Sequence, residues 1–134
     1  MSARLIPPST EMTQPYWDAA RREELVVQQC EDCDGHLFPP RAHCPACGSP
    51  RLAWLPVSGR GEIYTYTLAH RPPHPVLAEQ CPIAIAVVEL EEGPRMISNV
   101  IDCAPGDLAV GMPVQVAFEA IDDSDVALPV FRPA

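Results

Sequence analysis

The sequence predicts a mainly β protein in which one N-terminal helix and a short, cysteine-bearing ribbon precede a five-stranded barrel. Three observations carry that prediction. Two C-x-x-C pairs, Cys30-Glu31-Asp32-Cys33 and Cys44-Pro45-Ala46-Cys47, stand ten residues apart. Beyond residue 50, five segments are rich in β-branched and aromatic residues or alternate in period two. The 17 prolines, clustered at 7–8, 39–40 and 72–75, punctuate the rest as loop.

Taken in order, residues 1–12 read as a loose arm. Thr13 is a plausible N-cap, Pro15 fits the first turn, and Asp18 suits the positive end of the helix dipole. A helix is therefore expected over about 14–24, polar enough to lie on a surface. Its exceptions are Tyr16 and Trp17, which either cap the core edge or form an apolar patch for an acyl group or a partner. Leu25–Gln29 leads into Cys30 as a short strand, and Leu37-Phe38 starts the return. Pro39-Pro40 forces an extended crossing.

The ribbon spans about 25–50, too short for a core of its own. Each C-x-x-C pair puts two thiolates on one side of a tight knuckle, and two knuckles supply the four sulfurs that tetrahedral zinc takes. Gly35 and Gly48 follow the second cysteines, where the chain turns sharply. His36 and His43 lie alongside, but four thiolates already complete the shell. A single C-x-x-C would also suit a redox dithiol; here there are two, and neither opens a helix after a core strand. Zinc is expected to supply structural stability of roughly 10–16 kcal/mol. On its loss, residues 25–50 would be expected to unravel first while the barrel persists.

From residue 51 the chain reads as the barrel domain. Leu52–Val57 precedes Ser58-Gly59-Arg60-Gly61, a glycine-marked kink or bulge. Five strands follow: Glu62–Leu68, Pro82–Leu90 with larger side chains at 83, 85 and 87, Arg95–Ile101, Val114–Glu119 with Val114, Val116 and Phe118 facing in, and Ala127–Phe131. A compact turn or short helix over 104–113 joins the third and fourth. That order is the order of an OB-fold Greek-key barrel, so the domains are expected as 1–24, 25–50 and 51–134. The loop over 69–81 is long and proline-rich, and His70, Arg71 and His74 give it polar reach.

Charge narrows the partners. Eighteen acidic against nine basic residues leave a net charge of −9, which repels phosphate backbones and argues against nucleic acid. Tyr64 and Tyr66 have the faces for base stacking but almost no basic neighbours. No apolar run is long enough to span a membrane, and the first residues lack a signal-peptide stretch. Cysteines paired for metal then indicate a reducing, cytoplasmic setting. Nothing points to catalysis by the chain alone. Cys81 and Cys103 read as incidental thiols, the acidic pairs Glu91-Glu92 and Asp122-Asp123 as solvated turns, and no phosphate-binding glycine loop is present.

Together, Pro15-Tyr16-Trp17, the C-x-x-C ribbon ending Cys44-Pro45-Ala46-Cys47-Gly48, and Ser58-Gly59-Arg60-Gly61 with Ile63-Tyr64 and Tyr66 resemble a known family. So do His70-Arg71-Pro72-Pro73, Gly111-Met112-Pro113-Val114 and Pro129-Val130-Phe131-Arg132-Pro133. The resemblance covers about 13–133. The family is that of acyl-CoA-associated proteins with an N-terminal rubredoxin-like zinc ribbon and a C-terminal OB-fold, the domain of unknown function 35. It implies zinc on Cys30, Cys33, Cys44 and Cys47. It also implies a non-catalytic subunit that accompanies thiolase-superfamily enzymes, including lipid-transfer-type thiolases and steroid side-chain retro-aldolases, and helps form their acyl-CoA site. Other members accompany hot-dog enoyl-CoA hydratases. No family motif fixes the ligand residues in this chain; within the accessory-subunit reading Tyr16, Trp17 and the 69–81 loop with His70, Arg71 and His74, together with Arg41, are the candidates for the partner or acyl-CoA face. Arg41, Arg60 and Arg71 are cations able to meet CoA phosphates.

Overall fold

The computed structural model describes residues 4–134; the first three residues of the expected arm lie outside that range. The described part of the arm is not loose at Arg4. Arg4 donates to Glu119 at 2.8 Å and to Asn99 at 2.9 Å, tying it to the barrel.

Helix α1 spans Gln14–Arg21, three residues shorter than expected. Thr13 holds the cap position without a side-chain cap bond, because its Oγ1 accepts from the Thr10 amide instead. Glu23 adopts φ 60°, and the Glu24 amide folds back to the Ala19 carbonyl at 2.9 Å. A left-handed residue closes the helix there. Glutamate is an unusual occupant of that position, so the end carried no sequence signal.

The ribbon is a three-stranded antiparallel sheet of β1 (Val26–Cys30), β2 (His36–Leu37) and β3 (Leu52–Pro56), ordered β2-β1-β3. Its third strand lies beyond residue 50, and β3 pairs with β1 along its full length, Val26 opposite Pro56 through Cys30 opposite Leu52.

The barrel comprises β4 (Arg60–Ala69), β5 (Ile83–Leu90), β6 (Arg95–Asn99), β7 (Pro113–Ala120) and β8 (Ala127–Pro133). They run antiparallel in the order β6-β5-β4-β7-β8. A parallel bridge between Val100 and Phe131, with the Ile101 amide donating to the Phe131 carbonyl at 2.8 Å, nearly closes the ring. That is the OB connectivity, and the link between β6 and β7 carries a short 3-10 turn, Pro105–Asp107.

Two expected local features moved. The register shift in β4 falls between Ile63 and Thr65, after the glycines rather than on them. What Gly59 supplies is a positive φ of 76° at the entry to β4, and a Cβ there would sit 2.3 Å from Val116. Gly59→Ala is expected to cost about 2 kcal/mol or more, read as a lower denaturation midpoint. An unchanged midpoint would show that β7 yields freely. In β5 the core face is Ala86, Val88 and Leu90, so Ile85 and Val87 are only half-buried. In β7, Val114 is buried as expected, whereas Val116 and Phe118 are half-buried against the core edge.

Ribbon and barrel share one core. Tyr16 of α1 with Leu25 and Val27 of the ribbon belong to the same buried cluster as Ile63, Val88, Leu90, Val114 and Phe131 of the barrel. The helix and the first ribbon strand thus contribute apolar area that neither part buries alone.

Candidate metal centre and apolar cleft

The two cysteine knuckles are built on one plan. Cys30 donates its amide to the Gly35 carbonyl at 2.9 Å and accepts from the Asp34 amide at 2.9 Å. Cys44 repeats this with Ser49 and Gly48, both at 2.8 Å. Each loop needs one left-handed residue, supplied by Gly48 at φ 77° in the second and by Asp34 at φ 62° in the first. The turn assigned above to Gly35 therefore belongs to Asp34, a residue whose short polar side chain tolerates that region.

The plan brings Cys30, Cys33, Cys44 and Cys47 together, their sulfurs all within 4.8 Å of one another. Sγ of Cys30 lies 3.5 Å from that of Cys47, and Sγ of Cys33 lies 3.6 Å from that of Cys44. A zinc ion bonding four thiolates at about 2.3 Å requires sulfur separations of about 3.8 Å, so the set fits tetrahedral zinc. Backbone amides favour thiolates here. Those of Cys47 and Ala46 hold the Cys44 thiol down at about 7. The amide of Cys33, helped by that of Asp32, lowers Cys30. The remaining two go the other way. The amide of Ser49 favours a Cys47 thiolate, but the contact with Cys30 and burial push it up to about 12. Cys33 is likewise favoured by the Gly35 amide and outweighed by Cys30 and Cys44. Four thiolates this close would repel one another, which holds some of the thiols up; a divalent cation would offset that repulsion.

A polar clasp locks one knuckle to the other. Ser49 donates through Oγ to the Asp32 carboxylate, and the Arg51 amide donates to Ser49 Oγ at 3.1 Å. The Arg51 guanidinium lies 3.4 Å from Asp32 and 3.5 Å from Glu31. Such contacts orient ligands around a metal. Neither His36 nor His43 joins the cysteine cluster.

The remaining predicted residues separate into two places. Tyr16 and Trp17 stack edge to face with ring centres 4.9 Å apart, and Phe38 adds a third ring 5.7 Å from Tyr16. Tyr16 is in the core and Trp17 packs against it, as the core-edge expectation has it, and both line a surface cleft. Burial pushes the Tyr16 phenol well above its ordinary value. The cleft, about 350 Å³, lies between α1, the Phe38-Pro39-Pro40 crossing, β6 and β8. Arg41, next to Pro40, is exposed, while its backbone exchanges hydrogen bonds with the buried Gln28 amide at 2.7 and 3.0 Å.

His70, Arg71 and His74 are exposed on the loop between β4 and β5, and none of them lines the cleft. His74 Nδ1 accepts from the Val76 amide at 3.2 Å and caps the 3-10 turn Pro75–Gln80. Arg60 is engaged by Glu91 at 3.1 Å. Ile97 escaped the sequence-based list. It is 71 % exposed on β6, at the rim of the cleft. The alternation Met96 in, Ile97 out was its available signal. Among the described residues no helix is long and apolar enough to cross a membrane.

Comparison with known proteins places these features in company. Residues 17–53 match the ChsH2 rubredoxin-like zinc ribbon domain, and residues 54–119 match the ChsH2 C-terminal OB-fold domain. A DUF35 domain-containing scaffold protein of Methanocaldococcus jannaschii is 37 % identical over 103 residues, covering 75 % of this chain and 72 % of that one. A probable enoyl-CoA hydratase alpha subunit of Thermomonospora curvata is 40 % identical over 129 residues, 95 % of this chain but only 39 % of the longer subunit. Among solved structures, a chain of the Ltp2-ChsH2(DUF35) aldolase superposes with a TM-score of 0.84 at 38 % identity, covering 96 % of this chain and 98 % of that one.

Proposed function

The chain belongs to the DUF35 family, with a ChsH2-type zinc ribbon and OB-fold, and on that premise we propose that it is a non-catalytic accessory subunit of a thiolase-superfamily enzyme. The partner is a lipid-transfer-type thiolase or a steroid side-chain retro-aldolase. This subunit docks on it and helps form its acyl-CoA site in the cytoplasm. The observation that carries this reading is the likeness, over nearly the full length of both chains, to a component of the Ltp2-ChsH2(DUF35) aldolase. The four-cysteine cluster supports a structural role for zinc, since all four ligand positions are filled by protein and no open position remains for chemistry.

In this reading Tyr16 and Trp17 face the partner or the acyl group. Arg41, His70, Arg71 and His74 serve the CoA end, where guanidinium groups suit phosphates. A second reading takes its support from the hydratase alpha subunit, of which this chain spans about two fifths. There the partner is a hot-dog enoyl-CoA hydratase and the class of substrate is unchanged.

Tagged chain drawn gently from its native cell is expected to bring a near-stoichiometric thiolase-superfamily protein, identified by mass spectrometry. A hydratase instead would select the second reading. Recovery of the chain by itself would overturn both. In the captured complex, Arg71→Ala is expected to weaken CoA-thioester binding several-fold at low salt and less at high salt. Equal binding at both ionic strengths would remove Arg71 from the site.

A further inference from the structure

We infer that the cleft beside Tyr16 receives the neutral, apolar acyl portion of the CoA thioester, and that the Tyr16 hydroxyl donates a hydrogen bond to an oxygen on that group. The inference rests on the accessory-subunit reading and adds to it the place and the chemistry of the acyl end.

Charge makes the first argument. The chain carries a net charge of −9, yet among the described residues no charged side chain lines this cleft. The two other sizeable clefts differ. One, about 470 Å³, is lined by Glu23, Glu24 and Arg132; the other, about 510 Å³, by Arg21, Arg22, Glu23 and Asp125. The uncharged cleft therefore suits an uncharged occupant, and its about 350 Å³ lies within the range of small-molecule sites. Its walls are Tyr16, Trp17, Phe38, Ile97, Leu128 and Pro129, with smaller neighbours.

The second argument is an inventory of hydrogen bonds. The polar side chains of the lining are nearly all used. Ser98 Oγ donates to the Pro129 carbonyl at 2.8 Å. Asn99 donates to the Ala84 carbonyl at 3.1 Å and accepts from Arg4 at 2.9 Å. Thr13 Oγ1 accepts from the Thr10 amide at 2.9 Å. Tyr16 is the exception. The residue is 7 % exposed, and its hydroxyl makes no hydrogen bond among the described residues. Among the described residues no fully enclosed side-chain oxygen lacks a partner. The Tyr16 hydroxyl therefore keeps some accessible surface, and Tyr16 lines this cleft. In the free chain water accepts from this hydroxyl; in an occupied cleft another acceptor takes the water's place. A ketone, hydroxyl or thioester oxygen on an otherwise apolar group does so.

The third argument is continuity. Ile97 stands at the rim of the cleft and also borders a shallow depression with Tyr66, Ile85 and Val87 on the outer face of β4–β6. Apolar surface thus runs from the cleft onto the sheet, where a partner enzyme would cover an acyl group lying in it.

The test uses the full chain with its metal, in a Trp54→Phe background so that Trp17 is the single tryptophan. The probes are 2-decalone, a neutral bicyclic ketone, and decalin, the same skeleton without oxygen. Saturable quenching of Trp17 by 2-decalone is expected. Tyr16→Phe should weaken the ketone about three- to tenfold, the worth of one hydrogen bond, and leave decalin unchanged. Melting curves check that Tyr16→Phe is folded. Ile97→Glu, at an exposed position, should weaken both probes. Absence of saturable binding to the parent chain, or equal loss of both probes in Tyr16→Phe, would overturn the assignment. If the ketone fails while Ile97→Glu abolishes capture of the partner enzyme, the cleft is a protein-docking pocket and the accessory role survives. If the ketone binds as expected but no thiolase-superfamily partner is captured, the cleft stands and the accessory role falls.

Discussion

Stripping the metal with a chelator is expected to lower the melting temperature of the whole chain, in one transition, by at least about 10 °C. The sequence argued for a ribbon that unravels while the barrel persists. The packing argues otherwise. Leu25 and Val27, 4 % and 0 % exposed, lie in the same cluster as Ile63, Val88 and Leu90 of the barrel. Val27 sits three residues from Cys30 on a strand whose neighbours, β2 and β3, flank the knuckles. Without a cation, four sulfurs within 4.8 Å retain protons or repel one another. The knuckles then open and β1 loses its anchor. Structural zinc binds with roughly 10–16 kcal/mol, as large as the entire stability of a typical domain. Cys44→Ser, at a buried ligand, should reproduce the effect. Hydrogen exchange on the chelated protein gives the discriminating record: faster exchange confined to the ribbon, with an unchanged barrel melting point, would contradict the shared-core account.

Outside the metal ligands, Phe131→Ala is the substitution expected to cost most stability, about 3–5 kcal/mol. Phe131 is 0 % exposed and leads the fully buried side chains by volume. Its backbone also makes the closure, bridging Val100 and accepting from the Ile101 amide at 2.8 Å. Truncation would leave a cavity at the seam where the end of β6 meets β8. At roughly 4 °C per kcal/mol the melting point should fall by roughly 12–20 °C. Ile97→Ala, by contrast, removes a side chain that is 71 % exposed and should change stability by less than about 0.5 kcal/mol. Similar losses from both would mean that the seam is not where the core is concentrated.

The sequence by itself determined the metal centre and the barrel. Two C-x-x-C pairs dictate four convergent sulfurs because each knuckle is a local structure, closed by hydrogen bonds within six residues, Cys30 to Gly35 and Cys44 to Ser49. Five β-rich segments with a turn after the third dictate the OB order, because strand type and connection length are also local. Glu23 and Asp34 show the limit of that logic: both take left-handed backbone conformations that their residue types only weakly announce. Only the tertiary structure decided what lies between the parts. Tyr16, Phe38, Ile97 and Leu128 are far apart in the chain, and they form one uncharged cleft because α1, the proline crossing, β6 and β8 pack around a common core. The tertiary structure likewise left His70, Arg71 and His74 exposed on their loop outside the cleft. Contacts between distant segments depend on how apolar faces are jointly buried, a property of the assembled layers that no short stretch of sequence encodes.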